Sequence, residues 1–292
     1  MKYYFVSNGA KNYLELLEAE NCKILVSYYS MGEAERKLFE NYPNDIFLDC
    51  GAFSAWTLDK IINLEEYIKF VKEKESHYER IASLDEIPKD FSEIEKKRAG
   101  EQTYKNYMVM KEHIGLKKLV PVYHFGEDFG LLEQYVKEGA DLIGLGGIAG
   151  SIAGIAKGKL DVRESLGWFA EVFKTFPKQK FHGMGIFSKE VLFNFPLYST
   201  DSTHWLLSGR YGHIIKFNRK TLIVNQIKRM SQKSWIKVDE LGGTREGFFK
   251  LVEGKGQKSK YIERAQLAIR EIKEYINFIT RLWEARGIVW EE

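Results

Sequence analysis

Three aspartates stand where an apolar, β-rich run gives way to small or polar residues: Asp49 in FLDCGAF, Asp85 in SLDEIP and Asp201 in YSTDSTHW. Two histidines occupy similar places, His124 in PVYHFG and His182 in FHGMG, and so does the pair Gly146-Gly147 in LGGIAG. Should these run-ends face one another, the chemistry available is nucleophilic and acid–base. One carboxylate can attack a carbon centre while another carries a proton. Carboxylates gathered in a partly dry site repel each other, so at least one should keep its proton to unusually high pH. Each residue also has a plainer reading. A strand-end Asp often caps the next helix by accepting a backbone N–H, and a lone histidine often serves only as a structural hydrogen-bonding group. Two Asp and two His could ligate a metal, but no H-x-x-x-H spacing is present, and Cys22 and Cys50 are too far apart in sequence for a zinc cluster. No metal and no cofactor is expected.

The elements that must position these residues read as eight β-rich runs: Tyr4 to Ser7, Ile24 to Tyr29, Ile46 to Asp49, Ile81 to Asp85, Leu119 to His124, Leu142 to Gly147, Phe181 to Gly185 and Leu197 to Asp201. Stretches with apolar residues at three-to-four spacing lie between them, among them Leu64 to Lys74, Phe91 to His113 and Arg163 to Phe176, and predict amphipathic helices. Eight strand–helix alternations allow a parallel sheet to close on itself. The expected fold is therefore α/β, a (β/α)8 TIM barrel, whose active site is built at the C-terminal ends of its strands. That rule brings Asp49, Asp85, His124, Gly146-Gly147, the His182 to Gly185 turn and Asp201 to one mouth. The glycine-rich stretch from Gly144 to Gly158 does not have G-x-G-x-x-G spacing, and its first glycines fall inside a strand, so a dinucleotide fingerprint is not expected. Residues 1–214 form the expected barrel core. Residues 215–292 form a basic extension, with a possible extra strand at His213 to Phe217 and a long helix from about Ile262 to Ala285.

A length of 292 residues suits one barrel with a small appendage, and a net charge of +3 does not by itself argue for nucleic acid. The distribution is more informative. From His213 to Tyr261 there are twelve Lys or Arg against four Asp or Glu. Lys216, Arg219, Lys220, Lys228 and Arg229 are candidate phosphate contacts, with a solvated surface as the alternative. No apolar stretch approaches twenty residues and two cysteines make no disulfide framework, so a cytoplasmic protein without membrane contact is expected.

Over roughly Ile46 to Ile214 the strand ends resemble the tRNA-guanine transglycosylases, and within that superfamily the shorter bacteriophage and bacterial members that insert 7-deazaguanines into DNA. Asp49-Cys50-Gly51-Ala52-Phe53-Ser54 resembles the family's D-S-G-G-F-Q; Gly146-Gly147-Ile148 resembles its G-G-L; His182-Gly183-Met184-Gly185 resembles its M-G-V-G. The segment Ser208-Gly209-Arg210-Tyr211-Gly212-His213 resembles its Arg-x-Gly pattern. The resemblance implies Asp201 as covalent nucleophile, Asp49 as the acid–base group and Asp85 as reader of a purine's N1 and N2 donors. It implies substrate contacts from the Gly146-Gly147 backbone, from Phe53 and Met184 around the ring, and from His182 and Gly183, with Arg210 on the nucleic acid. His124 stands where family members carry a base-reading glutamine.

The family's zinc module of three cysteines and a histidine has no counterpart in the sequence, and that module shapes the tRNA-binding and dimer surfaces of bacterial members. DNA is therefore favoured over tRNA as acceptor, with a 7-deazaguanine such as 7-cyano-7-deazaguanine as incoming base, and a phage-encoded protein acting in a host cytoplasm fits the resemblance. The oligomeric state stays open. Two rival expectations remain: transglycosylation of tRNA, and a barrel hydrolase, lyase or isomerase acting on a small phosphorylated metabolite.

Overall fold

Along each barrel strand alternate residues enter two separate hydrophobic clusters. Tyr4, Leu25, Phe47, Val120, Val122, Leu142 and Tyr198 fill the barrel interior, whereas their neighbours Tyr3, Phe5, Ile24, Val26, Leu48 and Ile143 pack outward beneath the helices. Period-two alternation inside a closed sheet produces this split. In the computed structural model, residues 1–90, 92–115, 117–147, 162–211, 214–227 and 258–290 are described.

The strands are β1 (Lys2–Val6), β2 (Lys23–Ser27), β3 (Ile46–Asp49), β4 (Arg80–Ala82), β5, β6 (Leu142–Gly146), β7 (Lys180–Gly183) and β8 (Ser199–Ser202), all parallel. β5 comes in two pieces, Leu119–Val120 and Val122–His124, divided by Pro121. Its first piece pairs with β4 and its second with β6, so the fifth strand closes the ring. Proline lacks the N–H that a continuous ladder needs. The Pro121 carbonyl still accepts from Gly144 N–H at 2.8 Å. The fold is thus the TIM barrel expected from the strand–helix alternation.

The surrounding helices are α1 (Lys11–Ala19), α2 (Glu33–Phe39), α3 (Ala52–Thr57), α4 (Leu64–Lys74), α5 (Glu93–Lys111), α6 (Phe129–Lys137), α7 (Val162–Thr175), α8 (Lys189–Asn194) and α9 (His204–Tyr211). Asn63, Ser92, Asp128 and Ser188 cap four of them by accepting a backbone N–H. These caps come from residues other than the three strand-end aspartates.

After α9 a hairpin forms from β9 (Ile214–Asn218) and β10 (Ile223–Ile227), and α10 (Lys258–Ala285) follows. The expected boundary after residue 214 falls at the first residue of β9. α10 seals the outside of the barrel through buried Ala265, Ile269, Ile272 and Ile279. Glu271 on α10 accepts from Lys216 Nζ at 2.5 Å and from Phe217 N–H at 2.9 Å. Trp283 donates to the Leu192 carbonyl at 2.9 Å, and Trp290 meets Tyr198 edge-on at the base of the barrel. No described helix is long and apolar enough to cross a membrane.

Candidate active site

Register places the chemistry-bearing residues at equivalent heights on neighbouring strands: Ser27 opposite Asp49, and His124 opposite Gly146. They open onto a cavity of about 280 Å³ lined by Asp49, Phe53, Asp85, His124, Gly146, Gly147, Met184 and Asp201. Three carboxylates and one of the two expected imidazoles, His124, thus line one cavity at the mouth. Among the described residues the lining includes no Lys or Arg.

Asp49 ends β3, where Gly51 turns the chain into α3 with φ +85°. A side chain at Gly51 would be strained by that φ, and its Cβ would come within 2.4 Å of Ser27 Oγ and 2.7 Å of Tyr29 Cβ. The Gly51 N–H donates to Asp49 Oδ2 at 3.0 Å. Burial, then the charges of Asp85 and Asp201, push the Asp49 carboxyl up to about 8, despite the Gly51 bond, which works the other way. The expectation that one crowded carboxyl would hold its proton is met at Asp49.

Asp85 follows β4 and behaves oppositely. Its Oδ1 accepts from the Cys50 thiol at 2.8 Å and its Oδ2 faces His124 Nε2 at 3.0 Å. Burial alone would raise its pKa, but the His124 hydrogen bond and charge, joined by Cys50, hold it below the usual aspartate value. Burial, Asp85 and Asp49 in turn drive the Cys50 thiol up, so it stays a donor.

His124 is gripped on both sides. Nδ1 lies 3.0 Å from Glu127 Oε1, and Glu127 Oε2 accepts the His124 backbone N–H at 2.9 Å. Burial would lower this imidazole's pKa, but the Glu127 charge and the bonds to Asp85 and Glu127 outweigh it and raise the pKa to about 10. Both ring nitrogens are thus held by carboxylates, while His124 lines the cavity where a substrate contact was expected of it. Gly146 is needed beside the ring, because a Cβ there would lie 2.9 Å from His124 Cδ2, and Gly147 adopts φ +82°.

Asp201 on β8 is 6% exposed. Its Oδ1 accepts from Gly185 N–H at 2.7 Å and faces His182 Nε2 at 3.2 Å. His182 Nδ1 in turn meets Ser199 Oγ at 2.8 Å. His182 is fully buried and packs against the Tyr4 and Phe47 rings, at 5.9 and 4.7 Å between centroids. It sits one layer below the mouth and orients Asp201 instead of lining the cavity. Gly183 is also set back, its Cβ direction blocked by Leu197 at 2.9 Å and Ile186 at 3.1 Å. Both were expected as substrate contacts; the structure makes them supports. Phe53 and Met184 do line the cavity, and Phe53 stacks on Trp56 at 6.0 Å.

The expected phosphate contacts divide. Lys216 pairs with Glu271 and Arg219 with Glu274, so both tie the hairpin to α10. Lys220 is exposed on the hairpin turn. The Arg210 side chain, Lys228 and Arg229 lie outside the described residues, as does the glycine-rich stretch beyond Gly147. Among the described residues no group of His, Cys, Asp and Glu is arranged to hold a metal ion.

Sequence reasoning missed Glu127 and the thiol donor role of Cys50. The signal for Glu127 was an acid three residues beyond a strand-end histidine, across the turn Phe125-Gly126. Gly126 has φ +87° there.

An α/β barrel with an acidic mouth is the class that the fold and site define. No protein-family profile and no curated protein sequence matches the chain. Among solved structures it is similar to a protein from Coccidioides immitis assigned as a fructose-1,6-biphosphate aldolase, at 11% identity and a TM-score of 0.51, with 94% of this chain and 89% of that one covered. At that identity the likeness shows the barrel fold.

Proposed function

We propose that the chain is an enzyme that exchanges a guanine base in nucleic acid, DNA in preference to tRNA, for a 7-deazaguanine. The observation that carries the reading is one small cavity onto which open Asp49, whose carboxyl is pushed up to about 8 by burial and the charges of Asp85 and Asp201, and a second carboxyl group, Asp201, steadied by bonds that both fall on Oδ1. In this reading Asp201 Oδ2 attacks C1′ of the nucleotide while the bond from C1′ to the base nitrogen breaks, and Asp49 gives its proton to the departing base. Asp49, now anionic, takes a proton from the ring nitrogen of the incoming base. That nitrogen attacks C1′, the ester to Asp201 breaks, and both carboxyl groups return to their starting state.

A cavity of about 280 Å³ suits a single heterocycle better than a whole nucleotide. The target base would have to leave its stack, which costs a few kcal/mol in a duplex and less in single strands. Phe53 and Met184 offer apolar faces for the ring, and anionic Asp85 offers acceptors for an edge of N–H donors. Among the described residues the lining carries more carboxyl groups than cations, which favours a neutral base over a small phosphorylated metabolite, because carboxylates repel phosphate.

The test is incubation of the protein with DNA or tRNA and 7-cyano-7-deazaguanine, followed by nucleoside mass spectrometry of each polymer. The expected result is a new deazaguanosine in DNA and an Asp201-dependent covalent adduct that survives denaturation. Product in tRNA alone would move the acceptor to tRNA. Absence of product from both polymers would overturn the reading.

A further inference from the structure

We propose that His124 is a positioning residue: clamped as an imidazolium between Glu127 and Asp85, it keeps Asp85 anionic and so assigns the one proton shared at the mouth to Asp49. This deepens the function proposed above, but its central test needs no substrate.

The geometry carries the argument. A neutral imidazole has one N–H, so two carboxylate neighbours would leave one oxygen facing a ring lone pair. Here both ring nitrogens lie 3.0 Å from carboxylate oxygens, an arrangement that a doubly protonated ring satisfies on both sides. Glu127 is fixed against the ring, because its second oxygen takes the His124 backbone N–H and its side chain is only 4% exposed. Gly100 on α5 leaves it room, since a Cβ there would lie 3.2 Å from the Glu127 carboxyl carbon. Asp85 receives a donor on each oxygen, the imidazolium on Oδ2 and the Cys50 thiol on Oδ1, as an anion would. Asp49 has backbone N–H groups near its carboxyl, Gly51 at 3.0 Å and that of Cys50, but no imidazolium or thiol donor against it.

Among the described residues, the charged and titratable groups around His124 are Asp85 and Cys50 from the ends of β4 and β3, Glu127 from its own loop, Tyr135 of α6, which feels the charges of Glu127 and Asp85, Lys96 of α5, which reaches the turn at Gly126, and Asp49 and Asp201 among the residues lining the cavity. β6 contributes Gly146, which brings the ring close without adding charge. The directions of titration agree with the geometry: Asp49 is raised, Asp85 is lowered and His124 is raised. Two neighbouring carboxyl groups would otherwise share a proton, and neither would have a settled role. One cation placed against one of them decides which is base and which is acid.

The test is nitrogen-15 NMR of the histidine rings in the full-length protein, with assignment by His124→Gln. His124 should show two protonated nitrogens at pH 8, and Glu127→Gln should move its titration down toward the ordinary value of 6.5. In His124→Gln, which keeps an amide donor but no charge, the Asp85 carboxyl signal should titrate at least about one unit higher, and the acid limb of the base-exchange rate should rise with it. Glu127→Gln should instead leave the acid limb in place and add a loss on the alkaline side. A neutral His124 tautomer in wild type at pH 7, or an acid limb unmoved by His124→Gln, overturns the proposal. Should His124→Gln fail to fold, the ring titration in wild type and Glu127→Gln still decides it. Wild type that lacks base exchange but shows the expected titration sinks the function and leaves this inference standing.

Discussion

The two ends of this barrel handle charge in opposite ways. At the base, where strands begin, cations and carboxylates are matched: Lys2 with Glu79, Lys23 with Asp45, and both Arg80 and Lys180 with Asp141. Glu79 also accepts from the Tyr4 hydroxyl at 2.6 Å inside the barrel. At the mouth three aspartates open onto one cavity, where Asp85 and Glu127 share the His124 imidazole and Asp201 meets His182 from below. Matched charges stabilise a fold or leave it neutral, whereas clustered like charges oppose folding and are retained where they do chemistry. The same strands carry both ends, so the contrast lies in the terminal residues and not in the scaffold.

The largest expected effect is at the mouth. Asp201→Asn should abolish the covalent adduct and lower base exchange by on the order of 10⁴ or more, read in single-turnover assays. Asp49→Asn comes next, with kcat falling roughly 10²- to 10⁴-fold. The pH profile of wild type should lose activity as pH rises past about 8, where Asp49 gives up its proton. Stability carries the same signature. Asp49 is raised from 3.8 to about 8 and His124 from 6.5 to about 10, so each favours the fold while protonated and loses that contribution as pH rises through its window. Melting temperature should therefore fall between pH 6 and pH 9.5, and Asp49→Asn should melt higher than wild type at pH 9.

The base should behave in reverse. Arg80→Met would leave Asp141 with Lys180 alone and cost about 1–2 kcal/mol in denaturant melts, with no shift in the pH–rate profile. A shifted profile in that variant would break the division between the two ends. Gly146→Ala tests the mouth's packing more gently. Its methyl would press on the His124 ring, costing about 1–3 kcal/mol, and should weaken substrate binding more than turnover. The smallest effect is expected at the hairpin: Lys220→Gln should reduce the salt dependence of nucleic-acid binding by about one ion, read as the slope of log K against log salt. Lys216→Gln should chiefly loosen α10, because its partner is Glu271.

Much of this was legible in the sequence, for identifiable reasons. All eight barrel strands follow from apolar runs, six of them ended by Gly, Asp or His, and the helix over Leu64–Lys74 follows from apolar spacing together with its Asn63 cap. Strand-end position also identified Asp49, Asp85 and Asp201. Depth was not legible. Alternation tells which side of a strand a residue faces, but strand stagger sets its height, so His182 reads like a mouth residue and lies a layer below. Pairing was not legible either. That His124 spends both nitrogens on carboxylates depends on Glu127 folding back across the Phe125-Gly126 turn, a contact that no periodicity encodes. The division of β5 at Pro121 was visible as a residue but not as the closure of the ring.

That closure gives the His124–Asp85 contact a mechanical side. Backbone bonding between β4 and β5 ends with the Ser83 amide on the Val120 carbonyl, and beyond Pro121 the strand belongs to β6. Asp49, Cys50 and Asp85 hang from one side of this seam, and His124, Gly146 and Asp201 from the other. The bond from His124 to Asp85 is then a latch fastening the rim across a zip that stops short of the top. Undoing it by protonating Asp85 would loosen the ring at the rim of the cavity, and amide exchange at Ser83 and Phe125 is where that slackening would first be felt.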